Sequence, residues 1–122
     1  MSAPALLFVY HADAGPLAAL FDAAHKLLAP ASYPCSLCAI TYGAVAMKPR
    51  WKAWLAALPH RKAFYHKQDF ARAYPAYRGL ALPAILIDRG DGAVPLVEAA
   101  ALNALPDLEA LIALLEVRLA QA

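Results

Sequence analysis

Cys35 and Cys38 stand two residues apart as Cys35-Ser36-Leu37-Cys38, and they are the only thiols in the chain. That spacing suits two kinds of chemistry. In a redox dithiol, one thiolate attacks a substrate disulfide and the other resolves the mixed disulfide; two intervening residues let the second sulfur reach the first. In a metal site, the pair supplies half of a ligand set. A third reading is two small, buried, unreactive thiols. On the dithiol reading Cys35 is the more exposed nucleophile and Cys38 the resolving thiol. If Pro34 opens a helix, Cys35 lies near free backbone N–H groups that favour its thiolate.

The other groups with chemistry to offer are histidines. A metal site, if one is present, is drawn from Cys35, Cys38, His25 and His66; the step from Cys38 to His60 fits no standard finger spacing. His25 lies one helical turn after Phe21, and Asp22 is placed to orient it. It reads either as a general base near the cysteines or as a boundary histidine with one hydrogen bond. His11 and Asp13 follow the first apolar run, a position that lines active sites at the carboxyl ends of strands; Asp13 serves equally as a helix cap. His66 and Lys67 read as a solvated strand end, with the same cleft as the rival placement. Trp51 and Trp54 read as core or dimer surface. Lys48, Arg50, Lys52, Arg61, Lys62 and Lys67 make the middle of the chain basic, which more often solvates a surface than meets an acidic partner.

The elements that must hold these residues are legible in part. Leu6 to Tyr10 is an apolar run that reads as a buried strand. Asp13-Ala14-Gly15-Pro16 leads into a helix striped by Leu17, Leu20, Phe21, Ala24, Leu27 and Leu28, which Pro30 ends. Residues 29–48 leave two readings open: a short helix opened by Pro34, with both cysteines in its first turn, or a short strand from Ala39 to Tyr42. Pro49 starts a helix with Trp51, Trp54, Leu55 and Leu58 on one face, and Pro59 stops it. Lys62 to His66 alternates like a strand. Gln68 to Tyr74 reads as a short helix. Leu82-Pro83 leads into a buried strand to Ile87, Asp88 to Gly92 makes a turn, and Ala93 to Glu98 returns. Pro106 opens a last helix striped by Leu108, Leu111, Ile112, Leu115 and Leu119.

A chain of 122 residues makes one domain, taken as 1–122. Its hydrophobic fraction is 62%, inflated by alanine, and its charged fraction of 16% leaves an apolar surface that favours a homodimer. A net charge of +2 is too small to argue for nucleic acid or an anionic membrane surface. No stretch is long and apolar enough to span a bilayer. Met1 to Tyr10 lacks the basic start of a secretory leader, so a cytoplasmic location is expected. There a close cysteine pair is more often catalytic, sensing or metal-binding than structural. A protein thiol or disulfide is then the expected partner, and no cofactor is expected.

The order of elements resembles the thioredoxin-like fold, above all in its second half: a proline directly before a buried strand, a Gly-rich hairpin and a terminal amphipathic helix. The resemblance implies an α/β fold with a mixed sheet of about four strands flanked by helices, and a CxxC-bearing insertion after the first helix. In thioredoxin-like proteins that proline is cis and faces the active-site cysteines, and Pro83 matches its position. There the cysteine pair opens the first helix, where this chain has His11-Ala12-Asp13-Ala14-Gly15. The resemblance therefore carries the fold and not the catalytic site. The chain is also similar to a family of short uncharacterised bacterial proteins, through Ala24-His25-Lys26, Tyr33-Pro34-Cys35-Ser36-Leu37-Cys38, Thr41-Tyr42-Gly43, Trp51-Lys52-Ala53 and His66-Lys67-Gln68-Asp69-Phe70. Some of its members carry a GTPase label. This chain has no Gly-x-x-x-x-Gly-Lys-[Ser/Thr] phosphate loop, so nucleotide hydrolysis is not expected.

Overall fold

A computed structural model describes residues 4–11, 35–42 and 47–121. The helix read from Leu17 to Leu28, with His25 and Asp13, lies outside the described residues. The described chain is mixed α/β. Strand β1 is Ala5–Val9, helix α1 Ser36–Thr41, α2 Pro49–Ala57, β2 Arg61–Tyr65, α3 Lys67–Ala73, β3 Ala84–Asp88, β4 Ala93–Val97, α4 Ala99–Asn103 and α5 Leu108–Gln121. A 3-10 turn at Pro75–Tyr77 follows α3.

The strands form a four-stranded sheet in the order β2-β1-β3-β4. β1 and β2 are parallel, from Ala5 opposite Arg61 to Val9 opposite Tyr65. β3 runs against β1, and β4 against β3. The two apolar runs are the two central strands. β1 is buried along its whole length, as β3 is from Ala84 to Ile87, because packing covers both faces. The turn between β3 and β4 needs glycine. Gly90 and Gly92 hold φ of +103° and +112°, where a side chain is strained. The Asp88 carboxylate accepts the Gly90 N–H at 2.8 Å and closes the turn. The register of β4 on β3 slips between Ile85 and Leu86 of β3, and Pro95, which has no N–H to give the ladder, lies on the edge strand β4.

Alternation along β1 sorts the core into two clusters. Leu6, Phe8 and Tyr10 face one way, towards Trp51 and Trp54 of α2 and Leu111, Ile112 and Leu115 of α5. Ala5, Leu7 and Val9 face the other, towards Phe70 of α3, with Tyr77, Leu80 and Leu82 packed at its margin. Phe8 meets Trp51 edge-on at 5.6 Å between ring centroids. Trp54 Nε1 donates to Glu116 Oε1 at 3.2 Å, which ties α2 to α5. The Arg118 guanidinium donates to the Leu96 carbonyl at 2.8 Å and holds α5 on β4. Among the described residues no helix is long and apolar enough to cross a membrane.

Of the two readings left open for the cysteine segment, the helix forms. It starts at Ser36, with Cys35 as the extended residue before it, so Cys35 caps the helix from outside its first turn. Tyr42 makes an isolated bridge to Met47 and no strand. The short helix α4 was not expected. It follows β4 directly, and its Leu102 is fully buried beside the cysteine segment.

Candidate functional site

The site begins with Cys35 at the N-cap of α1, φ −104° and ψ 94°. Its sulfur turns back over the helix and accepts the backbone N–H of Cys38 at 3.2 Å. This is the capping role that Ser or Asp oxygens fill elsewhere. The same turn brings the two sulfurs together. Cys35 and Cys38 form a disulfide, with Cα atoms 5.2 Å apart, well inside the range a disulfide spans.

Neighbouring contacts fix the segment. Ser36 Oγ donates to Asn103 Oδ1 at 2.7 Å, docking α1 against α4. Thr41 is fully buried, and its hydroxyl donates to the Leu37 carbonyl at 2.6 Å. The pair belongs to the cluster of Leu6, Phe8, Tyr10, Leu37 and Trp51. Cys35 is 0% exposed and Cys38 7%. That reverses the expected order of exposure, because capping draws the Cys35 sulfur inward over the helix end.

The Tyr10 phenol lies in the same cluster. Burial pushes that phenol far above its ordinary value, with the neighbouring Tyr42 adding to the effect. The two rings meet edge-on at 5.8 Å. The backbone N–H of Cys38 is one donor that favours a Cys35 thiolate. The Trp51 indole N–H is buried in the same cluster without a hydrogen-bond partner.

The remaining expected residues disperse. His66 stands at the end of β2, and its Nδ1 lies 3.1 Å from Asp69 Oδ2. The same carboxylate oxygen accepts the His66 backbone N–H at 3.3 Å. The His66 side chain, 47% exposed, belongs to the start of α3. This contact holds the Asp69 carboxyl below its ordinary value. His25 lies outside the described residues. Among the described residues no three His, Cys, Asp or Glu side chains gather as a metal site does. Pro83 is buried, its bond to Leu82 is cis, and it directly precedes Ala84, the partner of Val9 at the end of β1.

His11 goes to the other face of the sheet. With Lys67 and Arg78 it lines a cleft of about 420 Å³ over Phe70, Tyr77 and Leu82. Phe70, Tyr77 and Leu82 belong to the second cluster, so the sheet separates this cleft from the disulfide. The sequence offered His11 and Lys67 as cleft residues; Arg78 and Tyr77 carry no spacing signal and were missed.

Comparison with family models, curated proteins and solved structures finds no match for this chain.

Proposed function

We propose that this protein is a small thiol–disulfide oxidoreductase or redox sensor on a thioredoxin-like scaffold. The observation that carries the reading is the disulfide between an N-cap cysteine and the cysteine one turn later, with the Cys38 N–H directed at the Cys35 sulfur. The order of elements supports the scaffold: parallel β1 and β2, a reversed β3 entered from Pro83, a glycine hairpin and a final helix.

A thiolate of a partner dithiol attacks Cys38, the member of the pair that keeps surface. A sulfur–sulfur bond forms to the partner, and the Cys35–Cys38 bond breaks. The electron pair leaves on Cys35, whose thiolate keeps the Cys38 N–H as donor and then takes a proton. The second partner thiolate attacks the partner sulfur of the mixed disulfide and releases Cys38, which is protonated in turn. The partner dithiol is oxidised to a disulfide, and the pair gains two electrons and two protons.

The test equilibrates the native protein in glutathione buffers of graded poise and counts alkylated thiols by mass. The reading expects a two-electron transition between dithiol and disulfide within the range of cellular thiol couples, about −120 to −270 mV. It fails if the pair exchanges only after the protein is unfolded.

Complete enclosure of Cys35 favours a second reading, a non-enzymatic interaction domain whose cysteines are buried or hold zinc. Metal analysis of protein purified under reducing conditions separates its two forms.

A further inference from the structure

The turn that carries both cysteines is held from outside by a residue distant in the chain. We infer that Asn103 is a positioning residue for the cysteine pair: by holding Ser36 it favours the disulfide over the dithiol and so sets how readily the pair is reduced. That role rests on the thiol-exchange reading of this site.

The contact joins two elements far apart in sequence. Ser36 is the first residue of α1 and stands between Cys35 and Cys38. Asn103, the last residue of α4, accepts its hydroxyl through Oδ1 at 2.7 Å, across 67 positions of chain. α4 is itself fixed to the sheet. Glu98 alone separates it from β4, and Val97 of β4 pairs with Ile85. Leu102, next to Asn103, is fully buried in the cluster that holds both cysteines. The far end of α1 is tied through the backbone, where the Lys48 N–H donates to the Thr41 carbonyl at 2.8 Å. Asn103 therefore brings the frame of the sheet to the turn in which the sulfurs meet.

Opening the disulfide changes that turn. As two thiols the sulfurs move from bonding distance to van der Waals separation, and both side chains regain rotamer freedom. A first turn fixed at Ser36 resists this spread and keeps each sulfur within reach of the other, which raises the effective concentration of one thiol for its neighbour. A contact shifts an equilibrium only by the difference in its strength between the two states. The Ser36–Asn103 bond is made with the disulfide closed, and the relaxed turn holds it less well. Its loss then costs the disulfide form more than the dithiol form.

Wild type, Ser36→Ala, Asn103→Ala and the double variant are equilibrated in graded mixtures of reduced and oxidised glutathione, and alkylated thiols are counted by mass. Two glutathione thiols become one glutathione disulfide as the Cys35–Cys38 bond takes up two electrons and two protons. Each single variant is expected to be about fivefold easier to reduce, or about 20 mV at about 30 mV per tenfold. The double variant is expected to shift no further than either single one, because both remove the same bond. Urea unfolding of the oxidised protein, and of protein refolded in reductant, reads the same difference by a second route, with the larger loss expected in the oxidised form. Equal losses in the two forms would make the bond a plain structural contact and overturn the role of Asn103. An unchanged or lowered potential, or single shifts that add in the double variant, would overturn it too. Wild-type protein that exchanges only once unfolded overturns the thiol-exchange reading instead, and the urea comparison still decides the role of Asn103.

Discussion

The two faces of the sheet are built on different physics. The disulfide face is enclosed: Cys35, Leu37, Trp51 and Leu102 are fully buried. The cleft face is open at its rim and cationic, with half-buried Tyr77, Leu80 and Leu82 around a single buried aromatic, Phe70. One strand serves both, since β1 sends alternate residues to each. The contrast teaches where each chemistry fits. A buried disulfide is reached through a single sulfur and stays inert to most solutes.

Stability is the sharpest way to break this contrast. Trp51 is fully buried, packed on Phe8 at 5.6 Å and on Trp54 at 5.4 Å between centroids. Trp51→Ala is expected to lose about 3–5 kcal/mol in urea denaturation, through the cavity it leaves. Arg78→Ala at the cleft rim is expected to stay within about 0.5 kcal/mol of wild type. Equal losses would mean that the two faces are packed alike.

The cysteine bridge comes next. It closes a very short loop, with a sequence separation of 3, so it restricts the unfolded chain little. Reduction, or Cys35→Ser with Cys38→Ser, is expected to cost at most about 2 kcal/mol and to leave the far-ultraviolet circular dichroism intact. A pair that is cheap to open suits exchange. A loss large enough to unfold the protein would mark the bridge as a structural staple and favour the interaction-domain reading.

How far these features were legible differs by region, for physical reasons. Leu6 to Tyr10 and Ala84 to Ile87 announced the central strands because strands covered on both faces need unbroken apolar runs. The terminal helix announced itself through Leu111, Ile112 and Leu115, which repeat at helical spacing and are all buried. The cysteine segment stayed undecided because six residues, Ser36 to Thr41, are too few to show a period. What settles it is a sulfur accepting a backbone N–H, and composition does not encode that contact. Cys35 was expected at the surface because nucleophiles usually are, but capping turned it inward. The cleft was half legible. His11 and Lys67 end strands and so could be placed, whereas Arg78 arrives through a turn whose path depends on Tyr77 reaching Ala93.

That last contact offers a smaller test within the cleft face. Tyr77→Phe keeps the ring and removes the hydroxyl that donates to Ala93. The loss expected from thermal or urea unfolding is about 1 kcal/mol. No loss would mean that ring packing alone sets this wall.

Acid should act on the cleft face through its carboxylates. The Gly90 N–H, with the Tyr74 hydroxyl, holds the Asp88 carboxyl below its ordinary value, and His66 does the same for Asp69. The sign follows from linkage. A carboxyl more acidic in the folded state stabilises it above the unfolded value of about 4, and that contribution disappears as pH falls through the folded value. Wild-type protein is therefore expected to lose urea resistance on acidification below about pH 4. Asp69→Asn with Asp88→Asn is expected to start weaker at neutral pH and to lose less in acid, so the two midpoints converge. Tyr74 gives the opposite limb. Burial, with Asp88 as hydrogen-bond partner, pushes its phenol up to about 12. Its contribution is whole below the unfolded phenol value of about 10 and is lost as pH rises towards the folded value. Tyr74→Phe should therefore flatten the alkaline limb and, by removing one of the two donors to Asp88, shrink the acid limb without abolishing it. An acid slope that survived in the double Asn variant would move the acid-sensitive groups away from this face.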